Sequence, residues 1–171
     1  MNIVTMKNYK TIILTITLCL TLSVGSFTCG YLCNNIHEED ISTYIYHKVD
    51  TVALKATNFY SKSPQEGLQD ALIYFDVKHA NIVYAQAVLE TGHFKSYNCL
   101  QRNNLFGLYN SKTKSYYTFN HWTESVIAYK LWIQNRYKED EDYLSFLNRI
   151  GYAEEPLYNK YLTDIIKACG F

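Results

Sequence analysis

The sequence is short of proline and glycine, with 2 and 7 among 171 residues, and it has no net formal charge, its 16 Lys and Arg offsetting 16 Asp and Glu. Scarcity of the first two excludes collagenous and low-complexity chains. The 48% hydrophobic content supplies apolar material for one packed core and too little for two. Neutral balance argues against a nucleic-acid partner, because phosphate neutralisation needs Lys and Arg in excess and gathered in a patch. Only Lys7 and Lys10 are charged before residue 34, which leaves 14 basic against 16 acidic residues, a net −2, in the remainder. No CxxC or HxxxH spacing occurs, so a zinc site is not expected. What the chain has in plenty is tyrosine, 17 residues. A flat apolar face with a hydroxyl at its edge suits a wet surface that grips something both ring-shaped and polar.

Between Lys10 and His37 there is no charged side chain, and Ile12 to Leu22 is apolar apart from its threonines. Residues 1–33 therefore read as an export signal or membrane anchor whose positive flank stays inside. Three fates are open: an uncleaved anchor, cleavage after Ser26, or lipidation at Cys29. Each puts the rest of the chain outside the cytoplasm, in the periplasm or cell envelope, with the membrane as a partner through this segment. Of the five cysteines, Cys19, Cys29 and Cys33 lie in or beside the leader. Cys99 and Cys169 read as two buried thiols or as a bridge between them.

Residues 34–62 are mixed and polar, with a weakly helical run from Val49 to Tyr60, and read as a partly helical stalk. A firm helix start follows at Ser63-Pro64-Gln65-Glu66, with a capping serine, proline in the first turn and a glutamate to close the box. Leu68, Leu72 and Phe75 make its apolar stripe. The next helix runs from Asn81 to Glu90, with Ile82, Ala85 and Leu89 at core spacing and Thr91-Gly92 ending it. The stretches 105–109 and 116–119 flank a polar segment and predict a short β-hairpin. Helices are predicted over Thr123–Arg136, Asp142–Arg149 and Leu157–Ala168, with a turn at 151–156. The sum is an α+β domain, mainly α, over residues 63–171.

Glu90 stands out by position. It shares a helical line with Gln86 and Ile82, in the last turn of a helix made otherwise of apolar residues. The negative end of the helix dipole and desolvation both disfavour the ionised carboxylate and raise its pKa, as a general acid near neutral pH requires. Spacing alone equally allows a solvated glutamate at a helix end. From Thr91 to Thr123 there is no carboxylate, while Lys95, Arg102, Lys112 and Lys114 are all present.

Ala85-Gln86-Ala87-Val88-Leu89-Glu90-Thr91-Gly92 followed by Asn103-Asn104-Leu105-Phe106-Gly107-Leu108 resembles the A-Q-x-x-x-E-[ST]-G and N-N-x-F-G pair of the bacterial glucosaminidase family, lysozyme-like peptidoglycan hydrolases that include autolysins and flagellar cell-wall hydrolases. Phe119-Asn120-His121-Trp122-Thr123-Glu124-Ser125 and Gly151-Tyr152-Ala153-Glu154-Glu155-Pro156-Leu157-Tyr158 are similar to two further family segments, in the right order. The resemblance covers residues 63–171. It implies a lysozyme-like domain with a short β-hairpin lobe and hydrolysis of the β-1,4 bond after N-acetylglucosamine in peptidoglycan strands, with no metal or organic cofactor needed. Carried over, it makes Glu90 the acid that protonates the departing oxygen and Tyr152 the tyrosine that helps hold or polarise the reacting sugar. Asn104 and Phe106 would support the groove, and Tyr109, Tyr117 and Trp122, with Tyr97 and Tyr116, would line it; core packing and hairpin pairing explain the same residues.

One departure from the family pattern concerns the second carboxylate. Many relatives carry another glutamate in an extended β lobe, where this chain has its carboxylate-free hairpin. Glu124 comes next, in the first turn of a helix, where capping explains it as well as base catalysis does. Substrate assistance by the 2-acetamido group is the natural substitute. His93 and His121 read as hydrogen-bonding or surface residues. Two other functions stay open: a muramidase or lytic transglycosylase, and a non-catalytic wall-glycan binding module.

Overall fold

The computed structural model describes residues 49–171. The 1–33 segment and most of the 34–62 stretch lie outside the described residues. Among the described residues, no helix is long and apolar enough to cross a membrane. The described residues form seven helices and one hairpin, in order: α1 Thr51–Lys55, α2 Pro64–Tyr74, α3 Ala80–Glu90, α4 Tyr97–Arg102, β1 Tyr109–Asn110, β2 Ser115–Tyr116, α5 Trp122–Trp132, α6 Tyr143–Arg149 and α7 Tyr158–Cys169, with a 3-10 turn at Gln134–Arg136. The strands pair antiparallel, Tyr109 opposite Tyr116, so the fold is mainly helical with one small β element, as the sequence predicts.

Helix α2 starts where expected: the Glu66 carboxylate turns back to accept from the Ser63 hydroxyl at 2.8 Å and its backbone N–H at 3.4 Å. Asp142 caps α6 by accepting from Ser145 N–H at 2.9 Å. Such side-chain acceptors satisfy amide groups that the first helical turn leaves without partners. Helix α4 was not foreseen, because its six residues carry no apolar period long enough to register; Ser96 caps it by accepting from Cys99 N–H.

The core differs from expectation at two places. Helix α3 is buried nearly all round rather than along one stripe: Val83, Ala85, Gln86, Ala87, Val88 and Leu89 are all inside, whereas Ile82 is only partly so. It runs through the middle of the domain, packed chiefly on α7 and α2. The packed domain also begins before Ser63, since Leu54 and Phe59 of the expected stalk belong to the core. Phe59 lies against Gly67 of α2, where any side chain would meet its carbonyl at 2.9 Å, and its ring meets Trp122 at 6.4 Å. Cys99 and Cys169 are both free, the first buried and the second exposed, so they form no bridge with each other and are not both buried.

Candidate active site

Glu90 closes α3, and the chain turns sharply after it. The Thr91 hydroxyl donates to the Ala87 carbonyl at 2.6 Å and accepts from Phe94 N–H at 2.8 Å. Gly92, His93 and Phe94 then follow with φ of 54, 61 and 63°. Glycine takes that conformation freely, but two successive side-chain residues in the left-handed region store strain beside Glu90. A left-handed glycine of the facing loop, Gly107 (φ 61°), brings its backbone so close that a Cβ there would lie 3.2 Å from Glu90 Oε2. The other oxygen, Oε1, accepts a 3.1 Å hydrogen bond from the Tyr158 hydroxyl at the start of α7. Burial among apolar neighbours pushes the Glu90 carboxyl from 4.5 up to about 7, with the Tyr158 bond pulling the other way.

That bond ends a buried chain with a single polarity. Tyr129 donates its only hydroxyl proton to Gln86 Oε1 at 2.6 Å. Tyr143, 2.9 Å away, must therefore donate to Tyr129, and it accepts in turn from Gln134 Nε2 at 3.0 Å. With its oxygen engaged, Gln86 presents its amide nitrogen to the Tyr158 oxygen at 3.3 Å, which leaves the Tyr158 proton for Glu90. The far end is anchored on the Lys78 backbone, whose carbonyl and N–H both bond the Gln134 amide at 2.8 Å. Every donation thus runs from Gln134 toward Glu90.

The loop facing Glu90 is held by Asn104. Its amide nitrogen donates to the Leu108 and Tyr117 carbonyls at 2.8 and 3.0 Å, while its oxygen accepts from Leu108 N–H at 2.9 Å. The Tyr152 hydroxyl adds a 3.0 Å bond to the Phe106 carbonyl. Among the described residues, no group of three His, Cys, Asp or Glu is placed to hold a metal ion. A cavity of about 320 Å³ lined by Val49, Tyr74, Phe75, Ile127 and Leu131 contains none of these site residues.

The family model described as mannosyl-glycoprotein endo-beta-N-acetylglucosaminidase matches residues 65–170. The chain belongs to the glucosaminidase family. Searches of curated proteins and of solved structures returned no match.

Within this glucosaminidase domain, the residues singled out in the sequence fall into two groups. Glu90, Asn104, Phe106 and Tyr152 converge on one place, the end of α3 and the loop against it. Phe106 is buried with its ring 4.5 Å from that of Tyr129. The others are more dispersed. Trp122 is 4% exposed and donates from its indole to the Lys62 carbonyl at 3.1 Å, on the α2 side. Tyr117 is buried with its ring 4.6 Å from Trp132, and Tyr109 is half-buried, edge-on to Tyr116 at 5.1 Å. Glu124 accepts from Asn120 N–H at 3.0 Å in the first turn of α5. His121 caps the same helix, its ring stacked 3.9 Å from Tyr60.

In the sequence Tyr158 carries no signal beyond ending a motif, and Gln86 none beyond its place in the A-Q-x-x-x-E motif and its spacing from Glu90. Both belong to the site. The further signal for Gln86 is a polar residue one turn before Glu90 in a helix otherwise apolar. No comparable signal marked Tyr129, Tyr143 or Gln134.

Proposed function

We propose that this glucosaminidase domain hydrolyses peptidoglycan at the β-1,4 bond after N-acetylglucosamine, with Glu90 as general acid. The observation that carries the reading is the Glu90 carboxyl itself: desolvated, near half-protonated at neutral pH, and aimed by Tyr158 and the Gly107 backbone. A carboxyl in that state can deliver a proton to a leaving oxygen and take one back.

The hairpin lobe carries no carboxylate, and the Glu124 carboxylate is engaged as a helix cap, which favours substrate assistance. In that sequence the acetamido oxygen bonds to the anomeric carbon as the glycosidic bond breaks, and the Glu90 proton goes to the departing oxygen. Water then attacks the same carbon, gives its proton to the Glu90 carboxylate, and releases the acetamido group with net retention. Tyr152 supports the step through the Phe106 carbonyl, holding the loop that faces the acid. The domain works outside the cytoplasm, tethered or released through residues 1–33.

Wild type, Glu90→Gln and Glu124→Gln are incubated with purified peptidoglycan, and the new ends are identified by mass spectrometry after borohydride reduction. Reduced N-acetylglucosamine ends from wild type and Glu124→Gln, with none from Glu90→Gln, are the expected result. A 1,6-anhydromuramic end indicates a lytic transglycosylase instead, and wall binding without turnover indicates a binding module.

A further inference from the structure

The chain segment that follows Glu90 is cationic without compensation. Lys95, Arg102, Lys112 and Lys114 lie in a stretch that has no carboxylate, and among the described residues none of the four has an ion-pair partner. Three lysines on a surface are ordinary. Arg102 is not, because it is half-buried and its plane is held. Its Nη1 donates to Asn98 Oδ1 at 2.9 Å, and its guanidinium carbon lies 4.7 Å from the centre of the Tyr97 ring and 6.0 Å from that of Tyr116. Aromatic faces on a guanidinium remove side-chain freedom without consuming its hydrogen-bond donors. Of its five donors, one is engaged by Asn98, and a planar fork remains that matches a carboxylate.

The platform is open and is built onto the site. Tyr97 is 66% exposed. The Arg102 carbonyl accepts from Phe119 N–H at 2.9 Å, which ties α4 to the strand leaving the hairpin. The next two residues, Asn103 and Asn104, start the loop whose Gly107 abuts Glu90, and Tyr109 leads from that loop to the ring of Tyr116. Arg102 thus immediately precedes, in the chain, the loop that reaches Glu90.

We infer that Arg102, held by Tyr97 and Tyr116, binds a carboxylate carried by the glycan substrate, so that the enzyme prefers strands whose peptide stems bear free, ionised carboxylates over strands whose stems are amidated. This rests on the reading that the substrate is peptidoglycan. A uniformly neutral glycan would leave the fork without a partner.

The test uses the full chain carrying Glu90→Gln, so that nothing is turned over, and two soluble glycan fragments: one with free stem carboxylates, the other with those groups converted to amides. Binding at least tenfold tighter to the carboxylate form is expected, with the ratio shrinking in high salt. Adding Arg102→Gln brings the ratio to about one while affinity for the amide form is kept, and Arg102→Lys restores part of it. Unchanged melting of Arg102→Gln excludes misfolding. Equal affinity for both fragments, a preference that survives Arg102→Gln, or one removed as fully by Lys112→Gln overturns the inference. Turnover by the unsubstituted chain is read separately: cleavage of both forms with no binding preference leaves the hydrolase standing and removes the Arg102 receptor. Preferential binding with no cleavage of either form does the reverse.

Discussion

Tyr158 and Glu90, 68 positions apart in the chain, are joined by a 3.1 Å hydrogen bond in which the phenol donates and the carboxylate accepts. The Tyr158 oxygen already accepts from Gln86, so its proton is committed to Glu90. A donor of this kind favours the ionised acid, and burial favours the neutral one. Their balance sets the carboxyl near 7.

Tyr158→Phe removes the hydrogen bond that favours ionisation, so the Glu90 pKa rises further. A general acid must be protonated, so kcat/KM falls as pH rises through that pKa. The variant's descending limb is expected to move upward by about one pH unit, the worth of one hydrogen bond to a charged group. A pH–rate profile of both proteins measures it, and a limb that stays in place or moves down would refute the assignment.

Glu90 also makes stability depend on pH. Its folded pKa of about 7 exceeds its ordinary 4.5, so between those values the folded chain binds more protons than the unfolded one. Stability therefore falls as pH rises across that window. Glu90→Gln removes the cost, and we expect it to exceed wild type by on the order of 2 kcal/mol at pH 8 and to match it near pH 4. Denaturant melts at the two pH values give both differences.

Gly107→Ala puts a methyl group 3.2 Å from Glu90 Oε2 and forces a side-chain residue to φ 61°. The backbone cost is about 1 kcal/mol. Displacement of the acid by a few tenths of an ångström should lower kcat by about tenfold or more, with a smaller effect on KM. Steady-state kinetics alongside a melting curve separate the two effects.

Asn104→Ala strips three hydrogen bonds from a residue that is 1% exposed, leaving the Leu108 amide and two carbonyls without their partner. A loss of about 3 kcal/mol is expected. Amide hydrogen exchange should show the 104–108 loop and hairpin loosened before α7. Uniform loosening of the whole domain would mean that Asn104 holds the core rather than the loop.

Much of the architecture was legible in the sequence because it depends on local chemistry. The Ser63-to-Glu66 start of α2, the Asp142 cap of α6 and the Tyr109–Tyr116 hairpin follow from short-range signals that act the same way in most contexts. Where tertiary packing overrides the local pattern, the reading departs from the structure. A helix such as α3, enclosed on all sides, shows no one-sided stripe to mark its core face. The stalk's Leu54 and Phe59 are too few to announce that they belong to the core.

By itself the sequence determined that Glu90 ends an apolar helix, that no carboxylate follows it before Glu124, and that four cations occupy that gap. Those are facts of order along the chain. Only the tertiary structure decided that Tyr158 bonds Glu90, that Trp122 is buried away on the α2 side, and that Arg102 lies near the rings of Tyr97 and Tyr116. The physical reason is distance: a hydroxyl must come within about 3 Å of a carboxylate to hold it, and no spacing rule brings residues 129 and 158 that close to 86 and 90 until α3 is packed between its neighbours.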